Sequence, residues 1–600
     1  MTSTDAGLKV LDLSNLTPAD KIGLALSGGG FRASLFHIGV LARLAEMDIL
    51  KNVHVLSTVS GGSIIGAYYY LKLKELLEGR RKDLTGQQGR ITCDCYVAIV
   101  REIETEFLEG VQNNLRVRVF ADALSNGKML INDECSRSDR MGDLYDTFFY
   151  RRFAKGQEQN KVLLKDIKII PEDEDIERFN LFEYNDRAEF KIPALTINAT
   201  SLNTGNSWHF TSSWIGESRP LHPFNTNAIH KFLRLDGTYP DEPEFAPEGD
   251  DNQKNLRLNK FSQIRLADAV AASACVPGVF KPLAIHDLYW GNQGEEIVVQ
   301  LVDGGVFDNQ GIDTLAKAGC DYVICSDGSG QIEDELDPAT RFYEVVNRSN
   351  SILMKRVREE TVENLYSGHC THKDWSFLHL RQICRGDIVY PSVPGPADHS
   401  DPDLHNGHVY RLSNLRTDLD TFTNVEAYTL MYHGYMLANE SFRVRHDAPR
   451  QEWRFLAIAS MLENDPARLL EHLKIGSQIS FKLLCLAPVF KALLIVVGAL
   501  LGLCALVHYQ TLIFFARNAL DFLLWVAPAL FLIGAGAVLV NNFFDGATWL
   551  GHLKKALRNY RRKDDNPLTL AAAGASVIFV VPSVFYVSVI DPIFKKIGRI

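Results

Sequence analysis

The chain has 600 residues, more than one hydrophobic core usually serves, so more than one structural unit is expected. Its 46% hydrophobic and 23% charged content is that of a globular protein, yet beyond about residue 480 long uncharged stretches take over. A net charge of −10 with no basic stripe argues against nucleic acid as a partner.

Residues 1–20 hold no apolar core and no cleavage-site pattern, so they read as an N-terminal extension and not as a signal peptide. Ten irregularly spaced cysteines fit reduced thiols and a cytosolic domain better than a disulfide framework. An apolar run at 22–26 leads into Gly28, Gly29 and Gly30, and a helical pattern follows over 33–47. A second strand at 53–59 ends on Thr58-Val59-Ser60-Gly61-Gly62 and opens a helix over 64–77. This alternation predicts a parallel α/β sheet covered on both faces. Residues 78–190 read as a helical, irregular insertion or lid, and apolar runs at 194–199, 297–302 and 322–325 extend the sheet. An acidic, proline-bearing stretch at 239–251 reads as an exposed loop without the ligand spacing of a calcium hand.

Three runs, 483–507, 522–540 and 568–590, approach or exceed the roughly 20 residues that cross a bilayer core. Their aromatic and basic flanks favour membrane spans over buried core helices. Lys554, Lys555, Arg558, Arg561, Arg562 and Lys563 place the loop after the second run in the cytosol, and with it the N-terminal domain. Lys595, Lys596 and Arg599 fit less well, because a third crossing leaves them outside.

Ser60 stands on a strand-to-helix turn crowded by small residues, like the nucleophile elbow of acyl hydrolases, with threonine in place of the first glycine. The alternative is a capping serine at a helix start. Gly28, Gly29 and Gly30 allow backbone N–H groups to approach a ligand. A nucleotide fingerprint is the competing interpretation, weakened by Ala33 at its last glycine position and by the missing acidic residue downstream. The other is an oxyanion hole, with Arg32 orienting the loop or attracting anionic headgroups. Asp303 follows an apolar run and precedes Gly304 and Gly305, which makes it the candidate base, with Asp308 as rival. His37, His54 and His209 are candidate third members or local packing residues. His369, Cys370, His372, His379 and Cys384, and separately His399, His405 and His408, carry zinc-ligand side chains, but their spacing matches no finger or ribbon.

The glycine loop, the Ser60 elbow and the Asp303-Gly304-Gly305 turn resemble, in that order, the patatin-like phospholipase family. Residues 194–210, 269–277 before Phe280, and 415–435 add to the likeness, which covers roughly 20–440. The resemblance implies an α/β patatin sandwich and a Ser60–Asp303 dyad with the Gly28–Gly30 loop as oxyanion hole. It implies acyl-ester hydrolysis of phospholipids or other acyl lipids, with no metal or cofactor. Gly61, Gly62, Gly304 and Gly305 would be the elbow and base-turn glycines. The expected organisation is a catalytic domain over 21–442, a connecting segment over 443–480, and a membrane region over 481–600 with two to three transmembrane helices. The protein would then be a multi-pass membrane lipid hydrolase of phospholipase A or lysophospholipase type facing the cytosol. A non-catalytic membrane scaffold and an acyltransferase using the same dyad are the alternatives.

Overall fold

Five uncharged residues, Ile22–Leu26, form the fully buried strand β1, and the glycines behind it release the chain into α1, Gly30–Glu46. The pattern repeats as β2, Val53–Val59, and α2, Gly61–Leu77. In this computed structural model the described residues are 9–85, 89–121, 137–154, 161–217, 233–234, 263–277, 280–290, 296–330, 332, 335–367, 372–384, 407–445, 448–477 and 586–599. The remaining elements that matter here are α3 (Cys93–Val111), α4 (Arg137–Tyr145), β3 (Ala194–Ser201), β4 (Ser207–Phe210), β5 (Trp214–Glu217) and α5 (Leu266–Ser273). They are followed by β6 (Leu283–Trp290), β7 (Glu296–Asp303), α6 (Gly305–Asp308), α7 (Ile312–Lys317), β8 (Tyr322–Asp327), α8 (Phe342–Tyr366), β9 (Asp374–His379) and α9 (Asn424–Ser441).

The sheet runs β9-β8-β1-β2-β3-β4-β5, with β7 joined to β3 and β6 to β7. It is parallel from β9 to β3 and antiparallel beyond, so the expected all-parallel sheet is corrected to a mixed one. Apolar residues alternate between its faces. Leu24 and Leu26 enter the large core under α1, α2, α3 and α9, while Ala25 joins Ile312, Leu315, Val323 and Trp375 beneath α7 and α8. Both faces are therefore covered, as the sequence pattern predicts.

The 78–190 stretch is not wholly a cover. Its helix α3 buries Tyr96, Val100, Ile103 and Phe107 against α1 and α2 as part of the core. Likewise 443–480 is not a free connector: Trp453, Phe455, Leu469 and Leu473 are buried in the same core.

The chain divides into one unit of residues 1–480 with 581–600 and another of residues 481–580. The first two apolar runs, most of the third and the acidic 239–251 loop lie outside the described residues. Among the described residues no helix is long and apolar enough to cross a membrane. The end of the third run belongs to the first unit: Tyr586–Ile590 leads into a helix, Asp591–Ile597, that docks on it. Asn114 donates to Asp591 at 2.7 Å, Lys595 to the Gln112 carbonyl at 3.2 Å, and the Val425 N–H to the Gly598 carbonyl at 3.3 Å.

Candidate active site

Sheet register explains why residues 60 and 303, far apart in sequence, meet. On β3, Asn198 pairs with Val59 of β2, and the next residue, Ala199, pairs with Asp303 of β7. The opposite edge of Ala199 is taken by Trp208 of β4, so β7 lies on the edge that β2 has just vacated. The tip of β7 thus continues the line of β2, and Asp303 arrives beside the turn that carries Ser60.

That turn is strained. Ser60 adopts φ 49° and ψ −116°, outside the usual range of an L-residue. Close packing holds it there: a side chain on Gly61 would overlap the Gly30 carbonyl, and one on Gly62 the Leu26 carbonyl. A hydroxyl network backs the turn. Ser273 Oγ accepts the Ser60 N–H at 2.9 Å, meets Ser63 Oγ at 2.9 Å and donates to the Asn198 carbonyl at 2.6 Å. Ser63 Oγ donates to Thr58 Oγ1, which donates to the Thr196 carbonyl, both at 3.1 Å. Thr58, at the position where an elbow usually has glycine, is therefore built into the support of the turn.

Asp303 and Ser60 are each only 6% exposed, which leaves the carboxylate poorly solvated. Burial raises its pKa to about 6, while the neighbouring Ser60 hydroxyl and a hydrogen bond from the Gly305 N–H at 2.7 Å pull the other way. Its own N–H is held by the Cys275 carbonyl at 2.8 Å, and that of Gly304 by the Ser273 carbonyl at 3.2 Å. Asp308 is spoken for: its two oxygens accept the Gln310 and Asp313 N–H groups at 3.0 and 2.8 Å as a turn would require.

The glycine loop divides. The Gly28 N–H is spent on the Asn309 carbonyl at 3.0 Å, so Gly28 is corrected from a donor to a close-approach position beside Ser60 Cβ and Asn309. The N–H groups of Gly29, Gly30, Gly61 and Gly62 have no acceptor among the described residues. Arg32 is likewise corrected. Its side chain is buried and donates to the carbonyls of Ser413 and Leu415, both at 2.7 Å, and of Gly328 at 3.2 and 3.3 Å. It braces the loop and offers no side-chain donor to a headgroup.

The three histidines stand elsewhere. His37 meets Ser326 Oγ and the Ser27 carbonyl, and burial holds it down to about 4. His54 bonds the Asn52 carbonyl, and His209 meets Ser207 with its pKa lowered by burial to about 3. Of the zinc-type residues, His372 meets the Cys320 carbonyl, His379 faces Asp327 at 3.7 Å and Cys384 is buried in the core. His408 is buried in the helix Gly407–Ser413, while His369, Cys370, His399 and His405 lie outside the described residues.

Sequence reasoning missed Ser273, Asn198 and Tyr145. Ser273 lies in the 269–277 stretch and Asn198 in 194–210, and membership of those stretches was the available signal. Tyr145 carries a buried hydroxyl with no hydrogen-bond partner among the described residues, its pKa raised by burial and then by the Asp303 charge. A cavity of about 1110 Å³, lined by Lys21, His54, Thr196, His209, Trp214 and Lys317 among others, includes neither Ser60 nor Asp303. It therefore does not define the site.

A buried hydroxyl beside a carboxyl of raised pKa, with free N–H donors at two helix starts, can pass a proton and hold a developing anion. The patatin-like phospholipase family model matches residues 24–316, which contain all of these groups. The crystal structure of VipD from Legionella pneumophila is similar at 13% identity and TM-score 0.22, over 73% of this chain and 72% of VipD. No curated protein matches significantly. Residues 24–316 are thereby identified as a patatin-like phospholipase domain.

Proposed function

We propose that the protein is a serine lipid acyl hydrolase of phospholipase A or lysophospholipase type, held at a membrane by its apolar C-terminal runs with the catalytic unit on the cytosolic side. The observation that carries this reading is the Asp303 carboxyl, raised to about 6 by burial and brought by the sheet register beside the strained turn of Ser60. An ordinary carboxylate is a poor base near neutrality, and one with a higher pKa accepts a hydroxyl proton more readily.

Ser60 Oγ attacks the ester carbonyl carbon as its proton passes to Asp303. The carbonyl oxygen takes up the charge against free N–H groups of Gly29, Gly30 and Gly61. Collapse breaks the ester C–O bond, and the leaving alcohol takes the proton from Asp303, leaving an acyl-serine. Water then attacks the acyl carbon, Asp303 takes its proton, and Ser60 departs with that proton as the fatty acid is released. Every proton moves between Ser60, Asp303, alcohol and water, so the cycle calls for no cofactor.

The test is labelling by a lipid-like fluorophosphonate together with fatty acid release from phospholipid vesicles. Ser60→Ala is expected to lose both; labelling that persists in this variant removes Ser60 as nucleophile.

A further inference from the structure

The glycine loop does not hold itself. Gly30, Phe31 and Arg32 each rest on the segment that ends the helix Gly407–Ser413 and leads to α9. A side chain on Gly30, whose φ is 59°, would overlap the Thr417 carbonyl. The Phe31 N–H donates to the Asp418 carbonyl at 3.3 Å, and Arg32 to the carbonyls of Ser413 and Leu415. Residues 414–423 form neither helix nor strand, so no backbone ladder fixes them, and their place is set by what grips them.

One grip comes from the far end of the sequence. Thr421 Oγ1 donates to Asp591 Oδ2 at 3.3 Å, and the same oxygen accepts from the Asn114 side chain at 2.7 Å. Asp591 is only 3% exposed and Thr421 is fully buried, so bulk water does not compete for these bonds. Asn114 stands two residues before Arg116, whose guanidinium meets the Asp418 carboxylate at 2.5 Å. Asp591 thus ties together the two segments that hold Asp418, the residue on which the Phe31 N–H rests. Further along the tail, Lys595 bonds the Gln112 carbonyl, and the Gln112 side chain donates to the Phe422 carbonyl at 3.3 Å.

We propose that Asp591 of the docked tail is a positioning residue for the glycine loop. It fixes Thr421 and Asn114, these fix residues 413–418, and those set where the Gly29 and Gly30 N–H groups point. The buried carboxylate then contributes position more than stability. Its effect on rate rests on the hydrolysis proposed above; its effect on the loop does not.

The experiment compares the full-length chain with Asp591→Ala, Thr421→Val and the double variant. Thr421→Val removes the hydroxyl but keeps the shape, and Thr421→Ser is the control that keeps the hydroxyl. On a soluble ester, each of the first two is expected to lower kcat about tenfold, with KM and the pH midpoint unchanged. The double variant should be no slower than the slower single one, and Thr421→Ser should return most of the rate. Hydrogen exchange at the Phe31 amide should speed up about tenfold or more in the same variants while β8 exchanges as before. Unchanged Phe31 exchange, faster exchange spread equally through β8, or kcat losses that multiply in the double variant would each overturn the proposal. If the unaltered chain hydrolyses no ester, the hydrolase reading fails, and the exchange at Phe31 still decides this one.

Discussion

At Asp303, the proposed function and stability pull against each other. The same burial that lifts its carboxyl to about 6 makes the charged form costly in the folded protein. Raising a carboxyl from its ordinary value near 4 to about 6 corresponds to roughly 3 kcal/mol, an order-of-magnitude figure. Below about pH 4 both folded and unfolded states are protonated and the cost vanishes. Between about 4 and 6 the folded state holds more protons, so this contribution to stability falls as pH rises; above 6 the whole cost remains. Asp303→Asn should therefore raise the melting temperature at pH 7.5 by a few degrees while lowering ester turnover at least about 1000-fold. For the unaltered protein, kcat/KM should drop below a midpoint near pH 6, as the base is protonated, and stay level above it. A rate that is flat from pH 5 to 8 would contradict the assignment of the base. Ser60, Asp303 and the glycines were legible in the sequence because their chemistry is local: a hydroxyl or carboxyl at a strand end followed by small residues. Ser273 and Tyr145 were not, since a buried hydroxyl announces itself only through the groups packed against it.

Among the elements, the strands and first two helices could be read from short apolar runs because burial on both faces requires them. What could not be read was direction. Nothing in residues 296–303 says that β7 runs antiparallel to β3, or that it enters the sheet where β2 ends; that follows from the β6–β7 pairing and a three-residue overlap with β3. Ser273, at the end of α5, joins these elements by linking the Ser60 N–H to the Asn198 carbonyl of β3. Ser273→Ala would leave both groups buried and short of a partner, at about 1–3 kcal/mol. The strained turn would then relax, with kcat expected to fall about tenfold and KM little changed, measured on a soluble ester. The pH midpoint should stay where it is, because Asp303 keeps its burial. A large change in KM alone would assign Ser273 to substrate binding instead of turn support. Helix α9 crosses α1 at two glycines, where a side chain on Gly39 would overlap the Met431 carbonyl and one on Gly434 the Phe36 carbonyl. Gly39→Ala must push α9 away from α1, and a loss of about 3 kcal/mol or more in denaturant unfolding is expected.

For the molecule as a whole, the docked tail constrains topology. Residues 471–477 and 586–599 both belong to the catalytic unit, so the stretch between them leaves that unit and returns to it. A chain that leaves and returns to one folded body crosses a bilayer an even number of times. The three apolar runs allowed two or three crossings, and a third would leave Lys595, Lys596 and Arg599 on the wrong side for their charge. Lys595 reaches the Gln112 carbonyl, so if the intervening runs cross a bilayer, the docked tail would put Lys595, Lys596 and Arg599 on the side of residues 1–480. The conflict in the charge pattern disappears if the first two runs cross and the third does not. The sequence raised that conflict but not the docking, because Asp591 finds Asn114 and Thr421 only after folding. In sealed vesicles, epitopes placed before residue 1, at residue 560 and after residue 600 should all be open to protease from the same side. An epitope after residue 600 protected while that before residue 1 is cleaved would mean an odd number of crossings, and the docked tail could not then exist in the membrane-bound protein.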